Sequence, residues 1–309
     1  MQNSTLSSPL VLRLTFGTIS DFNYVYGVIS LLGFLMIIFS NLTIISTVYL
    51  NQSLHEPMYV FISALCTNGL YGSISFFPSL IVNLFSKTQN ISYAACITQI
   101  FCIYFYVSCE MTLMTVMAYD RYMCICNPLS YSTLMNLTKA FKIIIGVWLY
   151  SFISIIVHTM LTVRLPLCDN VILKIYCDNW SVVRLSCIDT TVNNIYGLFI
   201  TVKLLGVMPL LVILSYVKIL KVCAKSKDNL LKAMQTCSPQ LISFAIFVTD
   251  CLFEVILYRL GPTQVPYGFR VAMLLQSMVV PPFVNPLLYG MKMQAIKVKI
   301  LQSFTLKKR

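Results

Sequence analysis

Seven long apolar segments are the feature that most constrains what this chain can fold into. A helix needs roughly 20 apolar residues to cross a hydrocarbon core about 30 Å thick, and every segment is long enough to cross with some tilt. Polar, charged or proline-bearing stretches separate the segments. The pattern predicts an all-α membrane protein, a seven-transmembrane helix bundle, with spans at about Asn23–Leu50, Met58–Leu84, Ala95–Arg121, Phe141–Leu161, Asn194–Leu220, Thr236–Tyr258 and Phe269–Tyr289.

Composition agrees with a chain that is solvated largely by lipid. Hydrophobic residues make up 58% of the 309 residues and charged residues only 10%, whereas about a quarter of a soluble domain is charged. Seven spans and their short loops occupy nearly the whole sequence. We therefore expect no separate soluble domain.

Basic residues predict the orientation, because cytoplasmic loops carry the excess of Lys and Arg. They concentrate between the third and fourth spans, between the fifth and sixth spans, and in the C-terminal tail. We therefore expect an extracellular tail (residues 1–22), a seven-span domain (23–290), and a cytoplasmic amphipathic helix with a basic tail (291–309). A disordered basic tail is the alternative for the last segment. The net charge of +12 is thus expected to face lipid headgroups and not nucleic acid.

The most informative motif lies at the inner end of the third span. It reads MAYDRY over Met117–Tyr122 and continues as ICNPLSY over Ile125–Tyr131. An Asp–Arg pair in a membrane helix is costly unless the charges pair or reach an interface. We interpret the pair as a switch, in which Asp120 holds Arg121 at rest and activation frees Arg121 for a cytoplasmic partner. An ordinary interfacial ion pair is the alternative for these residues taken alone.

The extended run resembles the odorant-receptor branch of the rhodopsin-like G-protein-coupled receptors. Pro57-Met58-Tyr59, Ser215-Tyr216, the segment 232–237 and the segment 282–289 are similar to further motifs of that family, and the resemblance covers about Pro57 to Gln294. In the last motif a proline removes one backbone donor and loosens the helix. The resemblance implies an activation switch made of Asp120, Arg121, Tyr122, Tyr216, Asn285, Pro286 and Tyr289.

Four cysteines lie near the predicted outer surface. Spacing leaves the connectivity open, because four cysteines allow three pairings. The resemblance implies bridges Cys96–Cys177 and Cys168–Cys187, which suit an oxidising compartment. The sequon at Asn3 is the best candidate for glycosylation, since it lies on the outer tail.

Ionisable residues within membrane spans are functional candidates. Asp250 and Glu254 are four residues apart and share a helix face, and we expect Lys203 of the fifth span to neutralise one of them. A structural buried pair without a ligand role is the alternative. The expected ligand-binding residues are Tyr104, Val107, Ser108, Lys203, Glu254 and Arg259.

Arg259 indicates the chemistry of the ligand. The segment Tyr258–Gly261 resembles the outer end of the sixth helix in class I, fish-like odorant receptors, where the arginine looks like a carboxylate partner. A guanidinium suits bidentate pairing with a carboxylate, so we expect a small polar ligand, a carboxylate or an amino-acid-like solute. An arginine that reaches the membrane interface is the alternative. Ile103 stands where amine receptors keep an aspartate, which argues against a biogenic amine recognised in the usual way.

Two positions depart from the family pattern. Gly69 stands where many relatives have an acidic sodium ligand, although Glu110 of the third span is retained. Gln240 stands where the sixth helix usually carries a histidine. We therefore expect no sodium site of the usual composition and no metal site.

The resemblance implies an odorant receptor that binds a small ligand in the bundle and activates a heterotrimeric G protein, of the stimulatory olfactory type. The expected location is the plasma membrane of olfactory cilia. No cofactor is expected, and the sequence shows no nucleophile–base pair or metal cluster at useful spacing, which argues against an enzyme. The alternatives are a non-olfactory rhodopsin-like receptor for a peptide or lipid, and a channel or transporter, whose opposed internal repeats are not evident.

Overall fold

The computed structural model describes residues 11–14, 22–86, 89–172, 174–224, 226–260 and 267–306. Long helices dominate this part of the chain. In chain order the elements are β1 (Val11–Leu14), α1 (Phe22–Leu50), a 3₁₀ turn (Gln52–Leu54), α2 (Pro57–Phe85), β2 (Asn90–Ser92), α3 (Tyr93–Cys126), α4 (Pro128–Leu134), α5 (Leu137–Val163), β3 (Val171–Ile172), α6 (Asn179–Val183), α7 (Thr191–Val202), a π-helical turn (Lys203–Val207), α8 (Met208–Cys223), α9 (Lys227–Leu260), α10 (Tyr267–Lys292) and α11 (Gln294–Leu306).

Six helices in the described ranges are long and apolar enough to cross a membrane. Their most apolar windows have mean hydropathies between 1.4 and 2.4. Helices α2 and α3 are largely buried in the bundle, whereas α1, α5 and α7–α8 expose most of their apolar side chains. So large an exposed apolar surface is stable only in lipid. The chain is therefore a multi-pass membrane protein, with spans at Asn23–Leu50, Pro57–Phe85, Tyr93–Cys126, Leu137–Val163, Thr191–Cys223 and Ala233–Ile256.

Helix α10 occupies the place of the predicted seventh span. It packs against α9, α2 and α1 and contains Pro281, Pro282 and Pro286. Each proline lacks a backbone donor, so the helix interior carries free carbonyl oxygens. One of them, the Pro282 oxygen, accepts a hydrogen bond of 2.8 Å from Asn41 Nδ2 of α1. Polar contacts with its neighbours thus compensate part of the broken helix ladder.

The segment after α10 is helical and packs on the inner end of the bundle. Helix α11 contacts both α1 and α10. Ile296 is fully buried and Ile300 is partly buried, whereas Lys297 is exposed. The spacing of four residues between the two isoleucines places them on one face of the helix. This arrangement accounts for the basic residues interleaved with apolar ones in the sequence.

A small sheet at the outer side is an addition to the expected all-α fold. β1 pairs antiparallel with β2, with Leu12 opposite Ile91, and parallel with β3, with Leu14 opposite Ile172. The side chains of a strand alternate between its two faces. Leu12 and Leu14 are therefore both fully buried, on the outer apolar core that Phe76 and Phe77 of α2 help to form. The sheet ties the segment before α1 to two outer loops.

Candidate functional site

A cavity opens at the outer end of the bundle between α3, α5, α7 and α9, beneath the loop that precedes α7. Its empty volume is about 1020 Å³, counting the part that is open to solvent. Apolar side chains form much of the wall, among them Ile103, Val107, Ile200, Leu204 and Val255. Ligand cavities of this size typically combine an apolar wall with a few polar groups.

Three charged residues meet in this cavity. The Lys174 ammonium from the loop lies 3.0 Å from Glu254 Oε1 of α9 and 3.4 Å from Asp178 Oδ1. The Lys174 side chain is only 2% exposed, while that of Glu254 is 22% exposed. A buried ammonium is stable only when paired, and here two carboxylates surround it. The cluster joins the loop to α9 across 80 positions of sequence.

Tyr176 completes the charged cluster. Its hydroxyl donates to Glu254 Oε1, and the Lys174 ammonium lies 5.2 Å from the centre of its ring. Burial, and then the negative charge of Glu254, raise the pKa of Tyr176 well above its ordinary value. The phenol therefore stays protonated and acts as a donor to Glu254.

A second polar group in the cavity centres on His158 of α5. Thr162 Oγ1 donates to Asn179 Oδ1, and the Asn179 amide nitrogen lies 3.0 Å from His158 Nε2. An amide NH₂ can only donate, so Nε2 is the acceptor and the proton of the neutral ring lies on Nδ1. The ring is buried, lines the cavity, and has no described partner for Nδ1.

Only some of the residues expected to bind ligand line the cavity. Tyr104, Val107 and Glu254 line the cavity. Ser108 does not, because its hydroxyl is fully buried and lies 3.0 Å from Ser151 Oγ of α5. Successive helix residues point about 100° apart, so Ser108 faces α5 when Val107 faces the cavity. Placing Ser108 on the cavity wall was wrong.

The expected ion pair between Lys203 and an acid of α9 is also wrong. The Lys203 ammonium donates to Ser154 Oγ at 3.0 Å and lies 4.5 Å from the centre of the Tyr150 ring, both on α5. The π-helical turn that begins at Lys203 departs from the 3.6-residue period of an α-helix. The Lys203 side chain therefore points in a different direction from the one that a regular helix would give it. Asp250 instead accepts a hydrogen bond of 3.0 Å from Gln276 of α10.

Several expected positions lie outside what the structure describes. Arg259 is in the last turn of α9, but its side chain is outside the described part. Asn3 lies outside the described residues. Of the remaining cavity groups, Lys174, Tyr176, Asp178 and His158 were not predicted. The sequence signal that could have identified the charged cluster is that Lys174 and Asp178 lie close to the loop cysteine Cys177. Spacing alone, however, does not connect these residues to α9.

Two disulfides hold the loop over the cavity. Cys96 at the start of α3 is bonded to Cys177, with a Cα–Cα distance of 5.4 Å, and Cys168 is bonded to Cys187. This is the pairing that the resemblance implied. Tyr176 and Asp178 flank Cys177, so the first bridge fixes both beside the top of α3. The Cys177 backbone N–H also donates to Gln99 Oε1 at 3.0 Å.

A buried polar network crosses the middle of the bundle at Glu110 of α3. Asn68 of α2 and Asn285 of α10 donate to its two carboxyl oxygens at 2.6 Å and 2.8 Å, and Ser243 of α9 donates to Asn285 Oδ1. A Cβ atom added at Gly69 would lie 3.5 Å from Asn41 Oδ1, and that oxygen has no described hydrogen-bond donor. The described residues contain no group of three His, Cys, Asp or Glu side chains arranged to hold a metal.

The predicted switch lies at the end of the bundle opposite the outer cavity. Arg121 and Asp120 form an ion pair of 2.8 Å, and both are buried. The hydroxyl of Tyr131 in α4 donates to the other Asp120 oxygen at 2.9 Å. Burial, and then the charge of Asp120, raise the pKa of Tyr131 above its ordinary value, so the phenol remains a donor. The carboxylate is thus held from two sides.

Of the other predicted switch residues, Tyr289 lies beside this pair. Tyr289 of α10 and Gln240 of α9 line a small inner cavity together with Asp120 and Arg121. Gln240 also donates to the Met114 carbonyl oxygen at 3.0 Å and so connects α9 to α3. Tyr216 of α8 is buried in the same apolar core. The Tyr122 ring lies against the Lys218 ammonium at 5.3 Å, while Asn285 and Pro286 lie in α10.

Comparison with known proteins gives one consistent result. The family model described as "Olfactory receptor" matches residues 29–307. Human Olfactory receptor 51I2 is 33% identical over 85% of this chain and 85% of its own length. Human Olfactory receptor 51L1 is 32% identical over 93% and 92%. Rat Olfactory receptor 1500 is 33% identical over 94% and 93%.

Proposed function

This chain belongs to the olfactory receptor family, and from that premise we propose that it detects a small polar solute, a carboxylate or an amino-acid-like compound, in its outer cavity. Membership makes it a G-protein-coupled receptor for small ligands and not an enzyme. The relatives do not favour the alternative of a peptide or lipid receptor.

The observation that carries the proposal is that helices α3 and α9 both line the polar outer cavity and both line the small inner cavity beside the Asp120–Arg121 ion pair. Helix α3 contributes Tyr104 to the cavity and Arg121 to the ion pair. Helix α9 contributes Glu254 to the cavity and Gln240 to the inner contact with α3. A ligand that changes the distance between the outer ends of α3 and α9 therefore changes the packing at their inner ends.

Activation is then a shift between two populations of the bundle. The ligand binds the active state more tightly and raises its fraction. In that state α9 moves outward at its inner end, Arg121 leaves Asp120, and Tyr289 repacks into the space. The hinge is α10 near Asn285 and Pro286, where the backbone ladder is interrupted. The freed inner cavity receives a heterotrimeric G protein, of the stimulatory olfactory type.

The remaining parts of the proposal concern the membrane. Helix α10 is the seventh span, which places β1 and the disulfides outside and α11 inside. Basic residues at the inner ends, such as Lys139 and Lys297, contact the headgroups of the inner leaflet. The location is the plasma membrane, in olfactory cilia.

The ligand class follows from the groups around the cavity. Arg259 lies one to two turns beyond Glu254 on the same helix, and we propose that it binds the carboxylate of the ligand. A carboxylate–guanidinium pair is bidentate and strong. Tyr104 and Val107 form the opposite, mainly apolar wall.

The test is cAMP accumulation in cells that express the chain with an olfactory-type G protein. Amino acids, short carboxylic acids and neutral odorants are applied to wild type, Arg259→Ala and the control Arg184→Ala, at matched surface expression. Arg184 is an exposed loop arginine outside the cavity lining. We expect a response to acids or amino acids that is lost only in Arg259→Ala. A response that survives in Arg259→Ala removes the arginine from the site, and a response confined to neutral odorants refutes the ligand class.

A further inference from the structure

Among the described residues that line the outer cavity, acidic side chains outnumber basic ones. Of its described lining residues, Glu254 and Asp178 are acidic and Lys174 is basic, and His158 accepts at Nε2 as a neutral ring. Asp178 precedes the short helix α6, yet its side chain does not cap the helix. Its carboxylate therefore serves the cavity and not the local backbone. Two carboxylates therefore share the ammonium of Lys174, whose side chain is only 2% exposed.

The Lys174 ammonium marks a position that is built for a cation. It lies within 3.4 Å of two carboxylates that come from different elements, the loop and α9. The Tyr176 ring lies 5.2 Å from it, a distance at which the face of an aromatic ring attracts a cation. Carboxylates and an aromatic ring together are the chemistry that recognises an alkylammonium group.

His158 gives an independent indication of a ligand. Its Nδ1–H is a buried donor without a described protein partner, and the residue lines the same cavity. A buried donor left without an acceptor destabilises the protein, because its hydrogen bond to water has been lost and not replaced. A ligand acceptor, such as a carbonyl or carboxylate oxygen, would remove that cost.

We infer that this cavity recognises a ligand with a primary ammonium group, which takes the place of the Lys174 ammonium between Glu254 and Asp178. Without ligand, the Lys174 ammonium therefore occupies the subsite that the ligand's ammonium takes on binding. The ligand also carries an acceptor for His158, as an amino acid or an amino alcohol does. This inference rests on the proposed function and adds to it the requirement that the ligand carries a primary ammonium group.

The exchange explains how binding reaches α9. At rest Lys174 and Tyr176 hold Glu254 to a loop that the Cys96–Cys177 disulfide fixes to α3. When a free ammonium replaces that of Lys174, Glu254 pairs with the ligand in place of Lys174, while Tyr176 still donates to Glu254. The ligand competes with a tethered cation, so its remaining contacts with Tyr104 and His158 must supply the affinity.

A rescue experiment tests the subsite directly. Lys174→Ala removes the ammonium and leaves space beside two carboxylates. We expect ethylamine and propylamine to raise the Tm of the purified variant, by about 3 °C at ten times the Kd. Propionate and propanol should not raise it. Wild type and Lys139→Ala, which lacks an exposed cytoplasmic lysine, should show no comparable rise. Equal shifts in all three proteins, or none in Lys174→Ala, would overturn the inference.

A signalling experiment decides the matter if Lys174→Ala does not fold. Wild type is challenged with amino acids, their decarboxylated amines and their deaminated acids, alongside Glu254→Gln and the control Asp169→Asn, an exposed loop carboxylate. We expect the amine-bearing compounds to activate, with an EC50 at least about tenfold higher in Glu254→Gln and unchanged in Asp169→Asn. Activation by the deaminated acids alone would overturn the inference and leave the proposed function intact. If every compound fails on wild type although the amines still rescue Lys174→Ala, it is the proposed signalling function that fails and the subsite that stands.

Discussion

Removing one hydroxyl from the cytoplasmic ion pair should raise the basal activity of the receptor. Tyr131→Phe deletes the donor that lies 2.9 Å from Asp120 Oδ1 and leaves the 2.8 Å bond between Asp120 and Arg121 in place. Hydrogen bonds to charged groups contribute about 1.5–3 kcal/mol. Tyr131 is partly exposed, so the lower value applies. In the proposed activation Arg121 separates from Asp120, so we expect the bond between Tyr131 and Asp120 to stabilise the resting state.

The size of the effect follows from this free energy. About 1.4 kcal/mol changes an equilibrium tenfold, so an active fraction of about 1% would rise to about 9%. The assay is cAMP accumulation without ligand, normalised to surface expression. Tyr119→Phe is the matched control, because Tyr119 is a half-exposed tyrosine of the same motif that contacts only the Tyr122 ring in the described interactions. Basal activity of Tyr131→Phe within twofold of Tyr119→Phe would refute the reasoning.

Two further substitutions test the packing of the bundle and the shape of the cavity. Gly72→Ala should lower the free energy of unfolding by about 1–3 kcal/mol, because the added Cβ would lie 2.6 Å from the buried Tyr106 ring. Gly146→Ala is the control, because its added Cβ meets open space. Thermal unfolding in detergent measures both variants, and equal Tm values would contradict the prediction. Ser108→Ala should leave the agonist EC50 within twofold of wild type, because Ser108 faces α5, whereas Val107→Ala should raise it about fourfold through lost apolar contact. An EC50 that responds more strongly to the serine substitution in the same cAMP assay would place Ser108 back on the cavity wall.

The spans and the ion pair of Asp120 with Arg121 could be predicted from the sequence because both depend on local properties. The cost of placing a segment in lipid is a sum over its own residues, so hydropathy located the helices to within a few residues. Asp120 and Arg121 are neighbours in the chain, and their pairing needs no tertiary information. The strand Val11–Leu14 was missed because its alternation is only four residues long and its partners are distant loops.

The cavity was decided by the tertiary structure. Lys174 and Glu254 are 80 positions apart, and a disulfide and the bundle packing together bring them to 3.0 Å. The direction of the Lys203 side chain depended on a π-helical turn. The direction of the Ser108 side chain depended on the packing of α3 against α5. The sequence by itself determined that this chain crosses the membrane repeatedly and that Asp120 lies beside Arg121, because those properties depend on contiguous residues. Which charges meet in the outer cavity was decided only by the fold, because a contact between distant residues depends on how every intervening helix packs.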